Sequence, residues 1–186
     1  PGGRLRKEYR GTLAWKRETA LLARMAGSGL VPVLLDTAPR QAEMTRCPGV
    51  PLGEGIRTAS RGEAREMMAA LAAWVEAFER EYRRRTGNTA VLEDLNPRNF
   101  LWDAASRKIT GLDFEFWHTG SPAENRGGLL CMAGRLSGGI CTGEELAEEL
   151  YRQFRPGYDR AELEHWEALA RQQASLRKSA MPLLRQ

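Results

Sequence analysis

The stretch VLEDLNPRNFLWDAASRKITGLDFE, residues 91–115, decides which fold and chemistry this sequence predicts. It sets Asp94, Asn99 and Asp113 in the order D-x4-N, a short hairpin, and D-F-E. Carboxylate and amide oxygens are the ligands that Mg²⁺ accepts beside nucleotide phosphates. The stretch therefore predicts a loop and a hairpin that hold a metal-bound nucleotide and activate a hydroxyl. Phosphoryl transfer is the first hypothesis.

The local pattern brings these three polar side chains together. Asp94 ends one apolar run, and Asn99 begins the next strand. Pro97 fixes the path of the loop between them. A following turn and strand return Asp113 to the same edge. The expected pieces are apolar runs at residues 90–92 and 99–102, a loop at 93–98, a turn at 104–107 and a strand at 108–112.

The residues before this stretch predict a small lobe of strands with one helix. The helix is expected over residues 13–25, with Thr12 as its N-cap and Glu18 within it. The proline- and glycine-rich segment at residues 47–55 is expected to be a loop that connects two lobes. The expected strands are residues 4–10, which contain Lys7, and residues 31–36 and 41–47, which pair antiparallel across a turn at 38–40.

The residues from 60 onward predict a mainly helical lobe. Ser60 and Glu63 form a capping-box pattern that opens a helix reaching about residue 85. Thr142 with Glu145 repeats this pattern, and Asp159 is expected to cap the last helix. One face of the first helix is apolar through Ala64, Met67, Met68, Leu71, Trp74, Val75, Phe78 and Tyr82.

Composition indicates an ordinary globular protein. The chain has 186 residues, of which 42% are hydrophobic and 28% charged, and its net charge is +4. Basic residues are spread along the chain, so the composition does not favour nucleic-acid binding, while it suits an anionic substrate such as ATP. No apolar run approaches the length of a membrane span. The oligomeric state is left open.

Cysteine usage indicates a reducing compartment. Cys47, Cys131 and Cys141 are odd in number and follow no metal-ligand spacing. We therefore expect reduced thiols in a cytoplasmic protein.

The motifs of the opening stretch resemble those of the protein-kinase-like superfamily, most closely the aminoglycoside and choline phosphotransferases and the small bacterial lipopolysaccharide-kinase-like proteins. Residues 94–99 match the catalytic loop D-x-x-P-x-N of that branch. Residues 113–115 match its metal-binding D-[FW]-E. The resemblance implies that Asp94 is the catalytic base and that Asn99 and Asp113 are magnesium ligands. It also implies an α+β, bilobal protein-kinase-like fold.

The resemblance extends to the small lobe. Lys7 and Glu18 look like the strand lysine and helix glutamate that pair to hold the phosphates of ATP in this family. The alternative to this functional role is that Lys7 and Glu18 are solvated surface charges. The implied division is a partial N-lobe at residues 1–49, a hinge at 50–59 beside the adenine, and a helical C-lobe at 60–186.

The sequence also departs from the family pattern. Leu92 stands where a histidine usually braces the catalytic loop, and no glycine-rich phosphate loop precedes Lys7 in this sequence, so the N-lobe is expected to be truncated. Glu124 or Asn125 is expected to brace the loop. His118 is either a substrate contact or a solvated loop residue.

The expected function is transfer of the γ-phosphate of ATP, with Mg²⁺, to a hydroxyl of a small molecule, a lipid-linked sugar or a protein Ser/Thr. The alternative is a pseudokinase-type binding or scaffold module. A weaker third hypothesis is a nucleic-acid-associated protein.

Overall fold

The small lobe is an antiparallel sheet with one helix. A computed structural model describes residues 3–136 and 139–180, without the side chains of residues 176–180. The elements are β1 (Arg4–Glu8), α1 (Thr12–Arg24), β2 (Leu34–Ala38) and β3 (Gln41–Thr45). The strands lie in the order β1-β3-β2, and Lys7 on β1 pairs with Ala42 on β3. Leu21 and Leu22 of α1 are fully buried, as its apolar spacing predicts.

Several predicted boundaries in this lobe are wrong, and β1 and β3 each end two residues earlier than predicted. Thr12 is the first residue of α1, and the N-cap is the extended Gly11, which offers no side-chain hydrogen bond. β2 begins at Leu34 because Pro32 has no N–H to donate to a ladder, and the Val33 N–H bonds to the Thr45 hydroxyl instead. The expected hairpin with β3 forms, and Arg40 in its turn adopts a positive φ of 58°.

The segment that was predicted to be a connecting loop contains a strand and a helix. These are β4 (Val50–Pro51) and α2 (Leu52–Thr58). Leu52 and Ile56 are buried, so tertiary packing outweighs the low helix propensity of the two glycines of α2. Those glycines allow close packing, since a Cβ on Gly53 would lie 3.4 Å from Pro97 and one on Gly55 3.3 Å from Met67. The proposed division of the chain at residues 50–59 stays a prediction.

The large lobe is organised around α3 (Arg61–Thr86), which opens with the predicted Ser60–Glu63 capping box. A hairpin of β6 (Phe100–Asp103) and β7 (Lys108–Gly111) packs on this helix, and β4 pairs with β6. Gly111 allows the contact, because a Cβ there would lie 2.3 Å from the Trp74 ring. The Trp74 indole and the Gly111 N–H both donate to the Leu30 carbonyl, at 2.9 and 3.0 Å. These bonds connect the hairpin and α3 to the segment that follows α1.

The remaining elements surround the loop that follows β5. They are β5 (Ala90–Leu92), a 3-10 turn (Pro97–Asn99), β8 (Trp117–Thr119), α4 (Pro122–Ala133), α5 (Gly143–Phe154), a 3-10 turn (Arg155–Gly157) and α6 (Arg160–Ala180). The predicted capping box at Thr142 opens α5. Asp159 directly precedes α6, and its carbonyl accepts from the Leu163 N–H. Helix α4 and strand β8 were not predicted.

Helices α4 and α6 approach closely at Gly127. A Cβ at Gly127 would lie 2.4 Å from the Trp166 Cβ and 2.5 Å from its backbone carbon. Only glycine therefore permits this crossing. Among the helices within residues 3–136 and 139–180, none has the combination of length and hydrophobicity needed to cross a bilayer.

Candidate functional site

Lys7 lies at the centre of three carboxylates. Its Nζ is 2.7 Å from Glu18 Oε2, 2.7 Å from Asp113 Oδ1 and 2.9 Å from Glu115 Oε1. Burial alone would lower the pKa of Lys7, but the charge of Glu18 and the hydrogen bonds to the three carboxylates raise it above its ordinary value. The ammonium group is therefore fully charged at neutral pH. β1, α1 and the segment after β7 converge here, as the sequence predicts for Lys7, Glu18 and Asp113.

Glu18 joins this cluster to the D-F-E segment. Its side chain is buried on α1, and Oε1 accepts a hydrogen bond from the Phe114 N–H at 3.1 Å while Oε2 contacts Lys7. A buried carboxylate requires such partners, because without them its desolvation would be costly. Glu18 thus connects the two lobes from a buried position. It is therefore not part of a solvated surface pair.

Asp113 has a strained backbone. Its φ is 59°, a left-handed conformation that non-glycine residues seldom adopt, although aspartate tolerates it better than most. The next residue holds this turn, since the Phe114 ring is buried and stacks on Phe78 at 5.8 Å with an interplanar angle of 7°. Packing of Phe114 and its bond to Glu18 therefore fix the direction of the Asp113 carboxylate, which is exposed.

Asp94 and Asn99 are bonded to one another. Asn99 Nδ2 donates to the Asp94 carbonyl at 3.0 Å and to Asp94 Oδ2 at 3.3 Å. Asn99 ends a 3-10 turn just before β6, so the prediction that it begins the strand is wrong by one residue. Asn96 causes this turn, because its side chain accepts from the Arg98 N–H. The Leu112 N–H donates to the Asn99 carbonyl at 2.7 Å, which places Asp113 next to the loop.

The acidic cluster can hold a cation. Oxygens of Glu18, Asp113 and Glu115 all lie within 4.8 Å of one another. Hard oxygen ligands of this kind suit Mg²⁺. The predicted metal ligands were Asp113 and Asn99, whereas Glu115, the last residue of the D-F-E motif, was not assigned a role. The Asn99 Nδ2 is turned toward Asp94, so its amide oxygen is the atom that could bind a cation.

A buried polar network braces the strand that leads to Asp94. Asn125 Oδ1 accepts from the Leu92 N–H at 2.8 Å, and its Nδ2 donates to the Ala90 carbonyl and to Glu79 Oε1, each at 2.9 Å. Of the two candidates for this brace, Asn125 makes the contact. Glu124 instead completes a capping box with Ser121 at the start of α4.

A cleft of about 380 Å³ opens beside the catalytic-loop candidate Asp94. Residues 91–97 form one side of it. Met132 of α4, Leu136 just after α4, and Trp166 and Leu169 of α6 form the others. At its rim, His118 Nδ1 lies 3.2 Å from Glu93 Oε1, and Nε2 lies 3.2 Å from Glu124 Oε2. His118 is therefore not an isolated loop residue. It lies on β8 between two carboxylates of the cleft.

Comparison with solved structures identifies the fold. APH(2")-IIa in a ternary complex with streptomycin and ATP superposes with a TM-score of 0.66 at 12% identity, over 90% of this chain and 76% of that chain. The aminoglycoside phosphotransferase APH(2'')-Ib with ADP gives 0.62 at 13% identity, over 96% and 77%. The gentamicin–APH(2")-IIa complex gives 0.64 at 13% identity, over 96% and 76%.

The chain has a protein-kinase-like fold. This confirms the predicted bilobal α+β architecture. No protein-family model matches the chain, and a search of curated proteins finds no relative. At this low identity the similarity extends to the kinase-like fold alone, so the roles of individual residues must be argued from the geometry of the site.

Proposed function

We propose that this protein is an ATP- and Mg²⁺-dependent phosphotransferase that acts on a hydroxyl group. One observation carries the proposal: Lys7, Glu18 and Asp113 converge on one another from two lobes, and the Asp94–Asn99 pair follows at the mouth of a cleft. The kinase-like fold supports it, as do the names of the similar structures, which are complexes with ATP, ADP or an aminoglycoside.

Lys7 would bind the phosphates of the nucleotide. Its ammonium group now bonds to Asp113 and Glu115, and the buried Glu18 would keep it in place when phosphate oxygens replace those two partners. A lysine is a compact point charge, which suits this exchange of anionic partners. Glu18 is a positioning residue in this proposal, because it acts through Lys7.

Asp113 and the amide oxygen of Asn99 would hold Mg²⁺, with Glu115 as a further candidate ligand. A bound Mg²⁺ would neutralise negative charge on the transferred phosphoryl group. The left-handed backbone at Asp113 would orient its carboxylate before the ion binds. Little binding energy would then be lost in orienting it.

Asp94 would accept or orient the proton of the acceptor hydroxyl. The transition state of phosphoryl transfer is loose, so positioning contributes more than strong base chemistry. Asn99 fixes Asp94 through two hydrogen bonds, and Asn125 fixes the strand before it. The acceptor is proposed to be a small molecule, a lipid-linked sugar or a protein Ser/Thr, and the setting is proposed to be cytoplasmic.

Thermal unfolding with ATP and Mg²⁺ tests nucleotide binding. At 100 times the Kd, binding stabilises the folded state by about 2.7 kcal/mol, which raises Tm by roughly 5–10 °C in a chain of this length. We expect Asp113→Asn to lose this shift, since asparagine tolerates the backbone conformation but removes the charge. Asp103→Asn, at a half-buried acid in the same hairpin, is the matched control and should keep the shift.

Turnover separates catalysis from binding. Asp94→Ala should retain the Mg²⁺-dependent shift and lose phosphate transfer. If neither the wild-type protein nor the control shows a shift, the proposed function is wrong. A shift in the wild type without transfer to any hydroxyl and without ATP hydrolysis would instead support the pseudokinase alternative, which Leu92 motivates.

A further inference from the structure

Part of the wall of the cleft beside Asp94 is apolar. Leu95 of the loop lines it, together with buried Met132 and Leu136 and half-buried Trp166 and Leu169. The Leu95 side chain rests on α4 at Gly128, where a Cβ would lie 2.4 Å from Leu95 Cδ1. Asp94 is thus followed immediately by an apolar surface that continues onto α6.

The acidic groups of the cleft are few, and most have partners. Glu93 and Glu124 face the two ring nitrogens of His118 at 3.2 Å. Arg135 also lines the cleft and adds a positive charge, with its guanidinium bonded to the Cys131 sulfur at 2.7 Å. The carboxylates that line the cleft are Glu93, Asp94 and Glu124, and each of them already has a polar partner.

These walls discriminate between classes of acceptor. A ligand with several ammonium groups would meet carboxylates that are already hydrogen-bonded, and any of its charges that lies against Trp166 or Leu169 without a partner is strongly disfavoured. A ligand with an apolar body would gain from the same surface, because removal of apolar area from water is favourable. Clefts of this size with apolar walls and a few polar groups are typical of small-molecule sites.

We propose that the acceptor is an amphipathic hydroxyl compound: its hydroxyl lies at Asp94, and its apolar body contacts Leu95, Trp166 and Leu169. This inference rests on the proposed function, since it assigns Asp94 to the reacting hydroxyl. It selects an uncharged or singly charged acceptor over a polycationic one, and a small molecule or lipid-like acceptor over a protein side chain.

Binding of a homologous series tests the proposal. The probes are methyl, butyl and hexyl β-D-glucoside, kept below micelle-forming concentrations, and gentamicin as the polycationic comparison. Calorimetric titration without nucleotide measures Kd. Full burial of each methylene gives roughly fourfold tighter binding, so we expect at least tenfold tighter binding of butyl than methyl glucoside. We expect gentamicin to bind more weakly than hexyl glucoside.

Two matched variants test whether the chain-length dependence of binding arises in the cleft. Leu169→Glu places a charge on the apolar wall and should abolish the chain-length dependence. Ala168→Glu adds the same charge one residue away, at an exposed position that does not line the cleft, and should preserve it. Because Leu169 is only half-buried, the variant should fold, and its Tm and its nucleotide-induced shift check this.

The outcomes are separable from those of the nucleotide experiment. Equal binding across the series, tighter binding of gentamicin, or equal effects of the two variants would overturn the amphipathic acceptor while leaving the Asp113-dependent nucleotide shift intact. Chain-length-dependent binding in a protein that never binds ATP would keep the apolar site and refute the proposed phosphotransfer.

Discussion

The ion pair between Glu79 and Arg126 gives the sharpest prediction about stability. Arg126 Nη1 contacts the two Glu79 oxygens at 2.8 and 2.7 Å, and the two side chains are only 5% and 4% exposed. Asn125 bonds to the same Glu79 and to the strand before Asp94. The guanidinium also lies 4.3 Å from the centre of the Tyr158 ring. The pair therefore connects α3 and α4 to the strand that supports the proposed catalytic loop.

Arg126→Met should destabilise the protein by about 3–5 kcal/mol at pH 8, the usual cost of leaving one partner of a buried pair uncompensated. Methionine retains much of the apolar packing, so the loss reports mainly the uncompensated buried charge of Glu79. For a chain of this length, each kcal/mol corresponds to roughly 2–4 °C in Tm. We therefore expect Tm to fall by roughly 6–20 °C.

The loss should shrink as the pH falls. Burial raises the pKa of Glu79, whereas Arg126 is the largest influence that lowers it. Without Arg126 the folded-state pKa rises further above the unfolded value. A raised carboxyl pKa contributes stability that is present below the unfolded pKa and is lost as the pH rises through the folded pKa. The variant should therefore be closer to the wild type at pH 5 than at pH 8.

Urea unfolding at both pH values measures these differences, with a double-mutant cycle as control. Glu79→Gln with Arg126→Met removes both charges and keeps an acceptor for Asn125, so the double variant should be more stable than Arg126→Met alone. A loss below 1 kcal/mol at pH 8, a loss that is independent of pH, or a double variant no better than the single one would refute the reasoning.

Two further predictions concern the proposed catalytic loop and the start of α3. Gly128→Ala forces Leu95 to move, since the new Cβ would lie 2.4 Å from Leu95 Cδ1. Turnover should therefore fall while nucleotide binding persists. The control Gly62→Ala, whose Cβ meets nothing within 4 Å, should leave turnover unchanged. Glu63→Gln should lower the urea midpoint at pH 7 and have little effect at pH 3. Hydrogen bonds from Ser60 lower the pKa of Glu63, so its contribution is present above the unfolded pKa and lost as the pH falls through the folded one.

Local patterns were sufficient to predict the parts of the site that lie on regular elements. Lys7 lies on a strand that alternates basic and other residues, Glu18 lies on an amphipathic helix, and Asp113 directly follows a hairpin. The Ser60 and Thr142 capping boxes were recognised for the same reason, because they use residues only three positions apart.

The missed elements depend on contacts between distant residues. Helix α2 forms although it contains two glycines, because Leu52 and Ile56 are buried against other elements. Helix α4 carries Gly127 and Gly128, which reduce its helical pattern but admit Trp166 and Leu95. Its capping box at Ser121, followed by Pro122, was the local pattern that could have indicated it.

The charge balance at Lys7 explains why nucleotide binding should depend on the metal. Glu18, Asp113 and Glu115 carry three negative charges around one ammonium group, so the cluster retains an excess of negative charge. ATP alone would add further negative charge to it, and like charges at such short range repel strongly in a partly buried site. In the proposed function Asp113 and Glu115 would hold one Mg²⁺, whose two positive charges match that excess, and Lys7 would then be available for the phosphates. Metal binding and the release of Lys7 would therefore be coupled through the same two carboxylates.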